Sequence, residues 1–422
     1  MPAFRLSLLA LVLSATPLFA DWNFEVTGGK EDLHDVLVSL PLPEKTEVPT
    51  AVSVSDAIGT VFVAQVMPAG GPGSNGIHAR VVALMPLLKS GETNSLQVKP
   101  ATTNDSKHKS FEWKLENGRP LELSWHEEVS SRRVLSFVGT PFDPKATPTS
   151  KQALENPTIK PYHHVFDPAT GKVQLTNGPT GQYPHHRGVF YGFNKISYDS
   201  KTADTWHCRN GESTVAGEKH VAKAGPLFGL HRFPVNWNGP DGKPFAEELR
   251  QLTVFQFSYY GNVKGTLIDF TSELRTSRES GVKLDGDPQH AGFHFRANSA
   301  MEKDTKNTYF LRPDGKGELG VEKNWDPKTK KGPVNLPWDA MSFMLEGKRY
   351  TVLYLDHPSN PKEARQSERC YGRIGTYFEH QLTPQKPLIV HYRLWIQEGE
   401  MTVEQCDALS KSFTQEVKVV AK

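Results

Sequence analysis

Two histidines and an arginine stand side by side in Gly181-Gln182-Tyr183-Pro184-His185-His186-Arg187-Gly188, between a proline turn and the aromatic run Val189-Phe190-Tyr191. Imidazole titrates near neutral pH and guanidinium is a fixed cation, so such a group can shuttle protons or hold an anion. In a strand starting at His185, His185 and Arg187 share one side and His186 takes the other. The plainer reading is a solvated lead-in to the strand, with the rings packed on Tyr183 or Tyr191. A second group is Asp356-His357-Pro358-Ser359-Asn360-Pro361, where a strand runs into a turn. The Asp356 carboxylate could orient His357, the pair could ligate a cation, or Asp356 could close an Asx-type turn before proline. Arg369-Cys370-Tyr371-Gly372-Arg373 offers guanidiniums and a ring able to clamp a carboxylate or stack on a sugar, or else to make surface salt bridges. Trp206-His207 and Glu218-Lys219-His220 each add an imidazole beside an aromatic or charged neighbour.

Strands with one polar face must position these groups, because alternate residues of a strand share a side. In His290-Ala291-Gly292-Phe293-His294-Phe295-Arg296-Ala297, the polar side holds His290, His294 and Arg296, and the apolar side Ala291, Phe293, Phe295 and Ala297. Leu388 to Ile396 repeats the pattern: Leu388, Val390, Tyr392, Leu394 and Ile396 oppose Ile389, His391, Arg393 and Trp395. Thr266 to Arg275 sets Asp269, Thr271, Glu273 and Arg275 on one side. Three such strands are expected to line one cleft. The candidate catalytic residues are therefore His185, His186, His290, His294, Asp356 and His357, and the candidate substrate-binding residues are Arg187, Trp206, Arg296, Arg369, Tyr371 and Arg393. Sixteen histidines raise the question of a metal. No HExxH occurs, and His290 and His294 sit about 13 Å apart along a regular strand, too far to share an ion. A metal would have to draw on several strands, for instance through His185, His290 and His357. No metal or other cofactor is assigned from spacing.

The composition limits what surrounds these strands. Residues of the AVILMFWYC set make 37% of the 422, and Lys+Arg balance Asp+Glu at 49 to 47. Such a chain is globular rather than disordered and carries no nucleic-acid footprint. With 34 Gly, 31 Pro, 22 Phe, 12 Tyr and 8 Trp, it suits short aromatic strands joined by tight turns. The expected fold is all-β: a small N-terminal β-sandwich over 21–150, then a large antiparallel β-sandwich with little helix over 151–422, the boundary lying in the proline-rich stretch Thr140 to Pro161. Only Thr402 to Phe413 has the periodicity of an amphipathic helix. Arg5, the apolar run Leu6 to Leu13 and Ser14 to Ala20 have the layout of a secretory signal peptide, cut after Ala20, so residues 1–20 predict a periplasmic or secreted protein. No later stretch is long and apolar enough to span a bilayer. Cys208, Cys370 and Cys406 allow one internal bridge at most and are expected as buried small residues.

Taken in order, Pro184-His185-His186-Arg187-Gly188, the strand His290 to Ala297, and Asp356-His357-Pro358-Ser359-Asn360-Pro361 followed by Tyr371-Gly372 resemble the bacterial PmoA-like family over roughly residues 157 to 410. Asp199 to Thr205 stands as a longer insertion before Trp206 than the family pattern carries, and no Trp stands between the Asp356-His357-Pro358 turn and Tyr371-Gly372. The methane-oxygenase activity in the family's name does not carry over, since it belongs to a membrane-embedded protein built from long apolar helices that this chain lacks. The resemblance implies an exported protein with a carbohydrate ligand. The expected function is thus acid/base chemistry on a sugar or sugar acid by elimination, epimerisation or hydrolysis. His185 or His294 would be general base or acid, Asp356 would orient His357, and Arg187 and Arg296 would hold developing negative charge. The alternatives are a non-catalytic carbohydrate-binding protein and a His-ligated metalloenzyme.

Overall fold

A computed structural model of the chain describes residues 21–74, 78–101, 109–143, 156–259 and 263–422, with the side chains of 157 and 256–259 not described. The expected signal peptide, residues 1–20, lies outside the described residues. The fold is all-β, in antiparallel sheets, with one α-helix among the described residues, Val403–Thr414. Thr402 caps that helix: its side chain accepts from the Gln405 backbone N–H, and the Gln405 side chain accepts from the Thr402 N–H. This reciprocal pair satisfies two N–H groups that a helix start leaves without partners. No helix among the described residues is long and apolar enough to cross a membrane.

The N-terminal sandwich forms because its strands present a mainly alternating apolar face, broken in Leu33–Pro41 at Asp35, which has a positive φ. In Trp22–Thr27, Trp22, Phe24 and Val26 are buried, and in Leu33–Pro41 so are Leu33, Val36, Val38 and Leu40. These side chains fill the space between a five-stranded and a three-stranded sheet. The outermost strand of the five-stranded sheet, Lys418–Ala421, comes from the far end of the chain and pairs antiparallel with Trp22–Thr27.

The larger sandwich faces an eight-stranded sheet against a ten-stranded one. Phe270, Phe293 and Tyr392 stack between them, with ring centroids 4.3 Å and 4.8 Å apart for the two pairs that include Phe293. Each fully buried side chain of this size contributes roughly 1.5–3 kcal/mol of transfer free energy, so such a core holds the two layers together without staples. The expected faces of 388–396 are the observed ones: Val390, Tyr392, Leu394 and Ile396 belong to this core, while Trp395 belongs to a separate cluster on the outer side.

The division between modules falls earlier in the chain than residue 150. Ser110–Glu116, Arg119–Glu127 and Ser130–Val138 are strands within the expected N-terminal module, but they extend the eight-stranded sheet of the larger sandwich. Leu135 pairs with Val165 and Phe137 with His163. Phe111, Leu123, Trp125 and Leu135 enter the large core, and that apolar face decides which module the strands join. The outer face of the ten-stranded sheet packs through Phe228, Leu230, Phe255 and Trp395 on Met67 and Val82 of the N-terminal sandwich and on the helix residues Cys406 and Leu409. All three cysteines are free and buried.

Candidate functional site

The outer face of the eight-stranded sheet carries a cluster of imidazoles supplied by three separate turns. The first is the turn ahead of strand Val189–Phe193. That strand begins at Val189 rather than at His185, so His185 and His186 sit on a tight bend and not on alternating faces. Their ring centroids are 4.1 Å apart. The bend is fixed by Asn177, whose side-chain amide donates to the carbonyls of Thr180 and His186, and by the Gly188 N–H, which donates to the Asn177 carbonyl. Gly188 has φ +57°, and a Cβ there would lie 2.1 Å from the His163 carbonyl oxygen, so only glycine fits.

The second turn is Asp204 to Cys208. The expected insertion Asp199 to Thr205 proves to contain part of a hairpin, Lys195–Tyr198 with Lys201–Ala203, which delivers this turn across Gly192. Asp204 organises it. One carboxylate oxygen accepts the backbone N–H groups of Trp206 and His207 at 3.0 and 2.8 Å, and the other meets His207 Nδ1 at 2.7 Å. The third turn is Asp287 to His290, which leads into strand Ala291–Arg296. It repeats the device: one oxygen of Asp287 accepts the Gln289 N–H at 3.0 Å and meets His290 Nδ1 at 2.9 Å. Asp-Thr-Trp-His and Asp-Pro-Gln-His are thus two copies of one local design, Asp-x-x-His, in which the carboxylate closes the turn and fixes the imidazole. With Nδ1–H donated to the carboxylate, each ring directs the lone pair of Nε2 outward.

His185 supplies the third ring. One ring nitrogen from each of His185, His207 and His290 can be chosen so that all three lie within 4.8 Å of one another. His185 is buried and, among the described residues, neither of its nitrogens has a partner, and the same holds for His186 beside it. Burial holds both of these imidazoles well below the usual histidine range, with the neighbouring imidazole as the next cause, so both are neutral. An unsatisfied buried polar group costs about 1–3 kcal/mol, which such a site tolerates when a ligand completes it. Beneath the rings lies Lys160. Its ammonium is buried and donates to the carbonyl of His185 at 2.9 Å and to that of Trp206, tying together the two segments that carry His185 and His207. Burial pushes this amine down to about 8. His290 keeps 30% of its side chain exposed, so the cluster is open on that side, and the half-buried rings of Tyr183 and Tyr371, with centroids 4.6 Å apart, lie against His186.

Among the expected residues, His185, His186, His290, His294, Trp206, Arg296 and Tyr371 come together here. Several take other duties than expected. His294 Nε2 donates to the Ala291 carbonyl at 2.8 Å and its Nδ1 accepts from Arg373 at 3.0 Å, which leaves no nitrogen to act as base. Arg296 donates to the Tyr371 carbonyl and to Glu302 and lies over the Tyr371 ring, so it builds the wall of the site. Arg187 is buried and donates to the Pro184 carbonyl. Trp206 is fully buried against His186, Phe190 and His294, a wall rather than a ligand contact. Arg369 pairs with Glu322.

Asp356, His357 and Arg393 belong to the other sheet. Asp356 accepts from Asn360 and Lys362, whereas His357 pairs with Ser359, so the carboxylate does not orient that imidazole. His357 therefore lies apart from His185 and His290, and the imidazole beside them is that of His207. The expected single cleft is in fact two: the polar side of 290–296 lines the cluster, and those of 266–275 and 388–396 line a groove on the opposite outer face. Asp204, Asp287 and Lys160 were missed from the sequence. The repeated Asp-x-x-His spacing was the available signal for the first two.

A protein-family model described as a family of unknown function, DUF6807, matches residues 128–411, which include every residue of the cluster. None of the curated proteins matches the chain. Among solved structures, an α-mannosidase from Enterococcus faecalis V583 aligns over 95% of this chain and 46% of its own, at 8% identity and a TM-score of 0.38. A glycosyl hydrolase family 38 protein from Enterococcus faecalis aligns over 95% and 47%, at 11% identity and 0.38. A galactose mutarotase related enzyme from Lactobacillus acidophilus aligns over 57% of this chain and 95% of its own, at 9% identity and 0.31. The chain spans under half the length of the first two.

Proposed function

From the premise that this chain belongs to the DUF6807 family, whose function is unknown, we propose that it is a metal-dependent enzyme whose centre is a divalent transition ion held by His185, His207 and His290. The observation that carries the reading is the convergence of three imidazoles from three distant turns, two of them fixed by Asp204 and Asp287. Zinc-binding imidazoles commonly donate their other ring N–H to a carboxylate, the arrangement that Asp204 and Asp287 provide here. Tetrahedral zinc at 2.0–2.1 Å sets its nitrogens about 3.3 Å apart, so the rings close inward slightly around the ion. Three neutral ligands leave the full double charge on the metal and a fourth position on the exposed His290 side. There an ion can polarise a substrate oxygen or lower the pKa of a bound water to about 7.

This reading replaces the simple acid/base scheme. An imidazole held neutral by burial, as His185 is, suits a ligand better than a base titrating near neutrality. The resemblance to the PmoA-like family supplies the substrate expectation, a sugar or sugar acid. Elimination, epimerisation and hydrolysis each develop negative charge on an oxygen, which the ion would stabilise. Export, expected from residues 1–20, belongs to the same proposal.

The test is elemental analysis of protein purified without added metal, with turnover of a panel of glycosides, uronides and keto-sugars before and after chelation. One zinc, or another first-row ion, per chain, lost together with turnover on replacing His185 and His290 by Ala, is the expected result. Full turnover by metal-free protein would discard the proposal.

A further inference from the structure

The outer face of the ten-stranded sheet is apolar where it meets the N-terminal sandwich, except along two adjacent rows. Arg232, Gln251, Thr271 and His391 stand in direct register across four neighbouring strands. In the next row Thr253, Asp269 and Arg393 are likewise in register. Instead of being packed over, these rows floor a cavity of about 420 Å³ beneath the segment Met67–Ser74. The cavity shares His391 with a second one, of about 380 Å³, that reaches His357 and Phe413. Both volumes fall in the range of small-ligand sites.

The hydrogen bonds separate what holds the groove from what it offers. Arg232 donates to Gln251 and to the carbonyls of Pro68 and Ala69, which pins the roof. Arg393 and Asp269 form a bidentate pair at 2.6 and 2.9 Å and so neutralise each other on the floor. The Thr271 hydroxyl and His391 Nδ1 are 3.5 Å apart, at the limit of a hydrogen bond, and Arg80 donates only to the Met67 thioether, a weak acceptor, among the described residues. The Thr271 hydroxyl and the His391 ring therefore keep spare hydrogen-bonding capacity on the floor, with the Arg80 guanidinium facing them, next to the apolar groups Ile389 and Phe413.

We propose that this groove is a second binding site, distinct from the imidazole cluster, and that it takes a neutral saccharide of two to three rings. Strands spaced about 4.8 Å apart make a four-strand row about 14 Å long, which matches an extended ligand of that size. Hydroxyls serve both as donors and as acceptors, as the mixed floor requires, and ring C–H faces suit the apolar flanks. The site is independent of any metal.

The experiment is calorimetric titration of the full chain with cellobiose, maltose and lactose, with digalacturonate and inorganic phosphate as charged comparators. At least one neutral disaccharide binds, and Thr271→Val and His391→Leu each weaken it about fivefold, as expected for loss of one hydrogen bond. Thr271→Ser restores it, which separates a lost contact from a disturbed fold. The double variant His185→Ala, His290→Ala leaves it unchanged, so failure of the metal reading and failure of this one are distinguishable. Binding of phosphate or digalacturonate alone, binding lost in the imidazole variant but kept in the groove variants, or no neutral disaccharide bound at about 10 mM would each overturn the proposal.

Discussion

The two outer faces of the large sandwich both carry polar side chains where a sheet usually meets water or packs, yet they are built by different means. On the eight-stranded side, the reactive groups come from turns, and each turn has its own carboxylate clamp, as Asp204 does for His207 and Asp287 for His290. On the ten-stranded side, they come from strand interiors held in register by the backbone ladder, as with Thr271 opposite His391. Turn-borne groups can converge on a point, which suits an ion. Ladder-borne groups can only form a row at strand spacing, which suits an extended ligand. Convergence also demands burial: His185 and His186 are buried with no partner for their ring nitrogens among the described residues, whereas His391 on the groove is only half-buried.

The largest effect that would break this contrast is removal of a clamped ligand. His207→Ala or His290→Ala should abolish retained metal and reduce turnover by at least about 100-fold. Metal content equal to the parent protein's would show that the turns converge on nothing. Next come Asp204→Asn and Asp287→Asn, which keep the turns but alter the partner of Nδ1. Each should lower zinc affinity about 10- to 100-fold in chelator competition, as outer-shell partners generally do. Equal affinity in both variants would reduce the shared Asp-x-x-His design to turn-capping alone. Lys160→Met should follow, leaving the carbonyls of His185 and Trp206 without their donor. Urea denaturation should register a loss of about 1–3 kcal/mol, with weaker metal binding alongside. Undiminished stability would mean that the two segments hold together without the amine.

A smaller effect serves as a control, because it belongs to neither face. His163, His231 and His220 form a chain with ring nitrogens 3.0 and 2.9 Å apart, and burial holds all three below the usual histidine range. The unfolded chain takes up protons below about pH 6.5, where these folded imidazoles stay neutral, so stability present above that pH falls as the solution is acidified. Melting temperature should drop from pH 7.5 to pH 5.5 by the same amount in the parent protein and in the Thr271→Val variant, which removes no titrating group. A flat profile would contradict the burial of this chain.

Strand faces were legible because period-two alternation is a local property. Phe293 and Phe295 against His294, and Tyr392 against Arg393, follow directly from it. The helix was legible from its own local period, the apolar face of Val403, Leu409 and Phe413, whereas its cap at Thr402 came from the structure. Which sheet a strand joins was not, since Phe111 and Leu135 look the same from sequence whichever core receives them. The site was half legible. His185 and His290 stood out by type, but His207 sits in a turn, where alternation says nothing, and only the repeated spacing to Asp204 and Asp287 marks it. His357 was misassigned because proximity in sequence to Asp356 suggested a pair that the fold gives instead to Ser359.

The strand Lys418–Ala421, laid beside Trp22–Thr27, has a consequence for how the molecule is made. A ribosome delivers the first sandwich long before its last edge exists, so that sheet must wait, with the flank of Trp22–Thr27 uncovered, until nearly four hundred further residues have emerged. The early domain is therefore the one finished last, and a premature stop near the end of translation would damage the beginning of the protein as much as its end.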